Sequence, residues 1–232
     1  MATKSAEKTT PVQKEATRER LLAAALDVFG RYGFDGASTR QLADAAGVNL
    51  QAIPYHFGGK QGLYLAAADY LAEMISGHVG AIRQRIAAEL AALDAAGAPL
   101  SPQQASVFLG EVVEVMVVLF VSKPSEAWAR FIIREQMEPT AAFERVYARI
   151  MGPMIDMGRR LIGAILGEDP ASDNVRLRSL SFMGSLLVFR VANAAVLAQM
   201  QWESVGEEQV ALLKRHAHNL VVAMVAGRGE PR

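Results

Sequence analysis

The chain has 232 residues, no cysteine, and 24 basic side chains against 24 acidic ones. That excludes disulfide frameworks, thiolate metal sites and cysteine nucleophiles, and a net charge of +0 is not the footprint of a wholly basic nucleic-acid binder. Hydrophobic residues make up 51%, enough for a substantial core, and the abundance of Ala, Leu and Arg favours helix.

Residues 1–16 are polar, carry Pro11 and read as a disordered arm. They hold no apolar stretch of the secretory kind, so a cytoplasmic protein is expected. From Thr17 onward Leu22, Ala25, Leu26 and Phe29 recur at i, i+3, i+4, i+7, which predicts an amphipathic helix with Thr17 as N-cap and Gly33 as its stop. "STRQLADAAG" follows. Ser38 and Gln41 fit a capping box, Thr39 being the other candidate cap, and Gly47 ends a short helix. Over residues 1–65 there are eight basic and six acidic side chains, a mild local bias. After "GVN" a second short helix is expected over about 50–56, although it contains Pro54. Gly58-Gly59 then lets the chain turn. Helix, glycine turn and short helix make a helix-turn-helix.

Beyond it the pattern is helical throughout: about 60–78, 80–95, 102–121, 125–137, 141–166, 174–200 and 205–226, with breaks at "GAPLSP", "SKPS", "EPT" and "GEDPASDN". No alternating β-branched run predicts a strand. "VVEVMVVLFV" (112–121) is interrupted by Glu114 and falls short of the ~20 residues of a membrane span. The chain is read as all-α, with an arm (1–16), a three-helix bundle bearing the helix-turn-helix (17–61) and a larger helical domain (62–232).

The stretch 38–64 resembles the DNA-binding domain of TetR-type transcriptional regulators. Thr39, the Ala43–Val48 turn and the close from Tyr55-His56-Phe57 through Lys60 to Leu63 carry that likeness. The resemblance implies a recognition helix whose first residues, Asn49, Leu50, Gln51 and Ala52, face base edges in the major groove. Glutamine pairs bidentately with adenine, so Gln51 is the natural reader. Thr39 at a helix start suits a phosphate, and Tyr55, His56 and Lys60 resemble the family's phosphate clamps, which hold register. Pro54 would then set the direction of Tyr55 and His56. The same Tyr-His-Phe triplet outside this context is ordinary core with one exposed ring.

"FIIREQMEPTAAFERVYARIMGPM" (131–154) and "LLVFRVANAAVLAQMQW" (186–202) look like the C-terminal domain of the CecR/CerR subgroup, which dimerises and binds effector. The last two predicted helices resemble the family's dimerisation pair, and a homodimer would span a palindromic double-stranded operator. Met116, Phe120, Trp128, Phe131, Met183 and Phe189, with Arg134, Arg190 and Asn193, are candidates to line a pocket for a small-molecule effector, released repression being the family's common mode. Any one of them is equally well ordinary helical core. Leu186, Phe189, Arg190, Asn193 and Leu197 share one face of the 174–200 helix. A buried arginine needs a partner, and three are open to Arg190: an internal acid such as Glu135 or Glu111, a dimer mate, or an effector.

No catalytic set stands out. His216 and His218 are two apart and point in different directions, "FGGKQG" lacks the P-loop spacing, and no metal motif or cofactor fingerprint is found. The other functional class open is a helical small-molecule carrier or adaptor without DNA binding.

Overall fold

The computed structural model describes residues 11–226. Among them all regular structure is helical: α1 (Pro11–Gly36), α2 (Thr39–Ala46), α3 (Ala52–Phe57), α4 (Lys60–Ala95), α5 (Pro102–Val121), α6 (Ser125–Met137), α7 (Ala141–Val146), a π-helical turn (Tyr147–Met151), α8 (Gly152–Leu166), α9 (Asp173–Val191), α10 (Asn193–Met200) and α11 (Glu207–Ala226). The chain forms two compact units. The first runs to Leu71 and includes Ala127–Val146; the second holds Ala72–Glu126 and the residues from Tyr147 on. The expected division at residue 61 thus differs from the packing, because α6 and α7 lie with the first helices.

In the first unit the apolar stripe of α1 (Leu21, Leu22, Ala25, Leu26, Phe29) is buried with Leu42 and Ala43 of α2, Ile53 of α3 and Leu63 and Ala67 of α4. The expected arm overlaps α1, since residues 11–16 are helical; residues 1–10 lie outside the described ones. Thr17 is accordingly no cap: its hydroxyl donates to the Gln13 carbonyl one turn back, at 2.8 Å. Gly33 does break the helix, with φ 74°. Gly30 permits a close approach, because a Cβ there would stand 3.1 Å from Arg130 Cβ on α6. Ser38, rather than Thr39, caps α2, and the reciprocal capping box with Gln41 is complete.

Glu135 is the polar hub of this unit. It is 2% exposed, and its carboxylate accepts from the Tyr64 hydroxyl, the Thr140 amide (3.1 Å), the Thr140 hydroxyl (2.9 Å) and the Phe143 amide (2.9 Å). The Tyr64 ring packs among Phe29, Phe34 and Phe131. Burial, with the hydrogen bond and the negative charge of Glu135, pushes the Tyr64 phenol up. Asp27 takes hydrogen bonds from Arg31 (3.0 Å) and Arg130 (2.9 Å). Burial alone would raise its carboxyl, but these two arginines together hold it below its ordinary value.

In the second unit α5 packs against α8, α9 and α11. It is long and apolar enough to cross a membrane by length and composition, where no span was expected from the sequence. Leu109, Val112, Val113, Val117 and Leu119 are nonetheless buried among neighbouring helices, so it is a core helix. The helices expected at 60–78 and 80–95 are one continuous helix, and the one expected at 141–166 is interrupted by the π-turn just before Pro153. That expected at 174–200 bends by 79° between α9 and α10.

Candidate nucleic-acid interface and apolar cavity

The sequence between α2 and α3 builds a tight turn. Gly47 takes the left-handed conformation (φ 62°, ψ 41°) that ends α2. The Asn49 side-chain oxygen then accepts from the Gln51 amide at 2.9 Å, satisfying an orphan donor at the start of the next helix. Asn49 is therefore held to its own backbone, a role its sequence position alone did not distinguish from base contact. α3 starts at Ala52, so Pro54 is its third residue. Its missing N–H falls where a helix has no internal partner, and the bond Ile53 N–Leu50 O closes the turn before it. Pro54 is thereby tolerated without breaking the helix.

Ile53 is fully buried and pins α3 to the bundle. Around it Leu50, Gln51, Pro54 and Tyr55 are exposed, while Thr39, Ala52, His56 and Lys60 are half-buried. The Tyr55 and His56 rings meet edge-on at 4.9 Å. Gly58 and Gly59 take positive φ (70° and 131°) and turn the chain into α4. Lys60 Nζ stands 4.5 Å from the Phe34 ring centroid. Two further cations join this face: Lys14 Nζ lies 5.6 Å from the Tyr55 ring and the Arg18 guanidinium 5.8 Å from the Phe57 ring. Sequence reasoning missed both, because it assigned Lys14 to a disordered arm and read Arg18 only as part of an amphipathic helix. The result is an exposed α3 with Lys14, Arg18 and Lys60 on aromatic rings beside it.

The second unit holds an apolar cavity of about 40 Å³. α5 contributes Leu109, Val112, Val113 and Met116; α8 contributes Met154, Ile155, Gly158 and Ile162; α9 contributes Ser179, Leu180, Phe182, Met183 and Leu186. Of the nine pocket candidates, Met116 and Met183 are brought together here. Trp128, Phe131 and Arg134 belong to the first unit. There Trp128 and Phe131 are buried, and Arg134 reaches the Arg31 carbonyl at 3.5 Å. Phe189 meets the His216 ring at 6.2 Å, and Asn193 sits beyond the bend, at the start of α10.

The acids offered to Arg190 are engaged elsewhere, Glu135 with Tyr64 and Glu111 with Arg85. Arg190 instead donates to the carbonyls of Phe120 and, at 2.6 Å, Ser122, at the C-terminus of α5. A guanidinium there satisfies orphan carbonyls and faces the negative end of the helix dipole. On the outer side of α9 Leu177 (65% exposed), Leu180 (57%), Val188 and Val191 form an exposed apolar stripe, and α11 adds Leu212 and Val222. Among the described residues no cluster of three or more His, Asp or Glu is placed to hold a metal ion.

Two family models match the chain: "Bacterial regulatory proteins, tetR family" over residues 21–67, and "HTH-type transcriptional dual regulator CecR, C-terminal domain" over residues 105–228. The HTH-type transcriptional dual regulator CecR of Shigella flexneri is 30% identical over 206 residues, covering 88% of this chain and 89% of that one. Among solved structures, AibR in complex with isovaleryl coenzyme A and operator DNA superposes with a TM-score of 0.61 at 14% identity, over 88% of this chain and 97% of that one. A putative transcriptional regulator from Pseudomonas aeruginosa PAO1 gives 0.60 at 18% identity, over 95% and 94%.

Proposed function

The chain belongs to the TetR family of transcriptional regulators and carries a CecR-type C-terminal domain, and from that premise we propose that it is a cytoplasmic, homodimeric repressor that leaves a palindromic operator when a small effector enters its second unit. The observation that carries the DNA half is the exposed α3, anchored by buried Ile53 and flanked by Lys14, Arg18 and Lys60. Exposed side chains on a rigid short helix can meet base edges, and cations beside them neutralise phosphates. Gln51 is the base reader; Thr39, Tyr55, His56 and Lys60, with Lys14 and Arg18, position the helix on the backbone. The exposed apolar side chains of α9 and α11 form the dimer face, since exposed apolar surface of this kind marks an interaction site.

Operator selection from random DNA, followed by electrophoretic shifts, tests the reading. Lys60→Ala with Tyr55→Phe should weaken binding alike on all sequences, and the salt slope should fall by about 1 for each phosphate left without its cation. Gln51→Ala should relax preference at one base pair by about 1–3 kcal/mol. Failure to enrich any palindromic site refutes the repressor and leaves the carrier reading.

A further inference from the structure

We propose that the effector of this chain is an uncharged, apolar molecule that seats itself among α5, α8 and α9, over Gly158. The inference rests on the reading of the second unit as the effector domain and adds the chemical class of the ligand. Among the cavity's lining side chains Ser179 alone carries a hydroxyl, and it donates to the Val175 carbonyl of its own helix at 2.8 Å. Of the three arginines on the same helix, Arg190 donates to the carbonyls that end α5, Arg176 to Asp173 and Arg178 to Asn174. A carboxylate or ammonium group placed in this wall would give up its hydration with nothing to pair it. An apolar molecule gains from leaving water.

The cavity also carries the means to admit such a molecule. Its volume of about 40 Å³ has room for no more than a few waters, and an apolar wall keeps it dry. An occupant must therefore widen it. Met116, Met154 and Met183, one from each helix, are unbranched side chains that reshape around varied apolar guests. At Gly158 the α8 backbone is bare: a Cβ built there meets no atom within 4 Å. Glycine inside a helix disfavours that helix, so a bare position facing free space is room left for something else. Leu180 forms part of the wall and is also 57% exposed on the outer stripe of α9. An occupant that displaces it therefore disturbs the proposed dimer face, which gives the cavity a route to the operator.

The test uses the full chain and two probes with one skeleton. N-phenyl-1-naphthylamine is uncharged; 8-anilinonaphthalene-1-sulfonate adds a sulfonate. Each is titrated by fluorescence into the wild type, Gly158→Leu and the milder Gly158→Ala. The expected result is saturable binding of the uncharged probe, at least tenfold weaker in Gly158→Leu and intermediate in Gly158→Ala. The sulfonate should show no Gly158-dependent binding, and the uncharged probe should lower operator affinity in the order wild type, Gly158→Ala, Gly158→Leu, at the concentrations that fill each. Absence of binding to the wild type overturns the proposal. So does binding indifferent to both variants, Gly158-dependent binding of the sulfonate, or occupancy without effect on a shifted operator. A chain that shifts no DNA at all would sink the regulator reading alone, because the fluorescence titrations contain no DNA.

Discussion

Replacing Glu135 by alanine should unfasten the first unit, and the structure sets the scale. The carboxylate serves Tyr64, Thr140 and Phe143 from a position 2% exposed to solvent. Thr140 is exposed, so its two donors find water in the variant. The Phe143 amide keeps the Thr140 carbonyl at 3.0 Å, but the buried Tyr64 hydroxyl loses its acceptor, and an unsatisfied buried donor costs about 1–3 kcal/mol. A loss of about 1–3 kcal/mol is expected, a sizeable share of the ~5–15 kcal/mol of a typical domain. Glu135→Gln should lose about 1 kcal/mol: its amide oxygen keeps the Thr140 and Phe143 donors, its NH₂ donates to Tyr64, and the charge assistance disappears. Tyr64→Phe removes a hydrogen bond to a charged group, about 1.5–3 kcal/mol. Combined with Glu135→Ala, it should cost less than the two losses added, by about that amount. Urea denaturation followed by helix circular dichroism reads the four variants against the wild type. A Glu135→Ala variant within about 0.5 kcal/mol of wild type, the range of ordinary surface changes, or zero coupling with Tyr64, would refute the hub.

Gly33→Ala should destabilise by about 1–2 kcal/mol in the same assay, because φ is 74° and the new Cβ would meet Arg134 Nη1 at 2.8 Å; stabilisation, as for an ordinary mid-helix glycine, would contradict that geometry. Asp27 has a folded pKa below its unfolded value. Its contribution is therefore present above the unfolded value of about 4 and lost as pH falls through the folded one, so Asp27→Asn should flatten the acid limb of a thermal-stability profile. Tyr64 has a folded pKa above its unfolded value. Its contribution is full below about pH 10 and declines as pH rises beyond it, so Tyr64→Phe should flatten the alkaline limb. Leu177→Glu with Val191→Glu places charge on the exposed stripe of α9. Sedimentation equilibrium should then show monomers where the wild type is dimeric, and an unchanged dimer would move the interface elsewhere.

Local chemistry determined much of this protein in advance. The Ser38–Gln41 capping box, the left-handed Gly47, the break at Gly33 and the bounds of α5 and α6 all follow from short-range backbone rules, which one segment of chain obeys wherever it sits. The face of α3 was suggested by resemblance and not by local rules; that Ile53 is the side chain turned inward, with Gln51 and Tyr55 exposed, came from packing. Partners far along the chain were not legible. Nothing in "RVANAA" marks the 79° bend after Val191. Nothing local tells that Glu135 meets Tyr64 71 positions away, or that Arg190 reaches the carbonyls that end α5. Apolar and charged side chains state that they need burial or a partner, and not which one. That choice was made by packing: it sent Trp128, Phe131 and Arg134 to the first unit, left Met116 and Met183 on the cavity, and set bare Gly158 beside them.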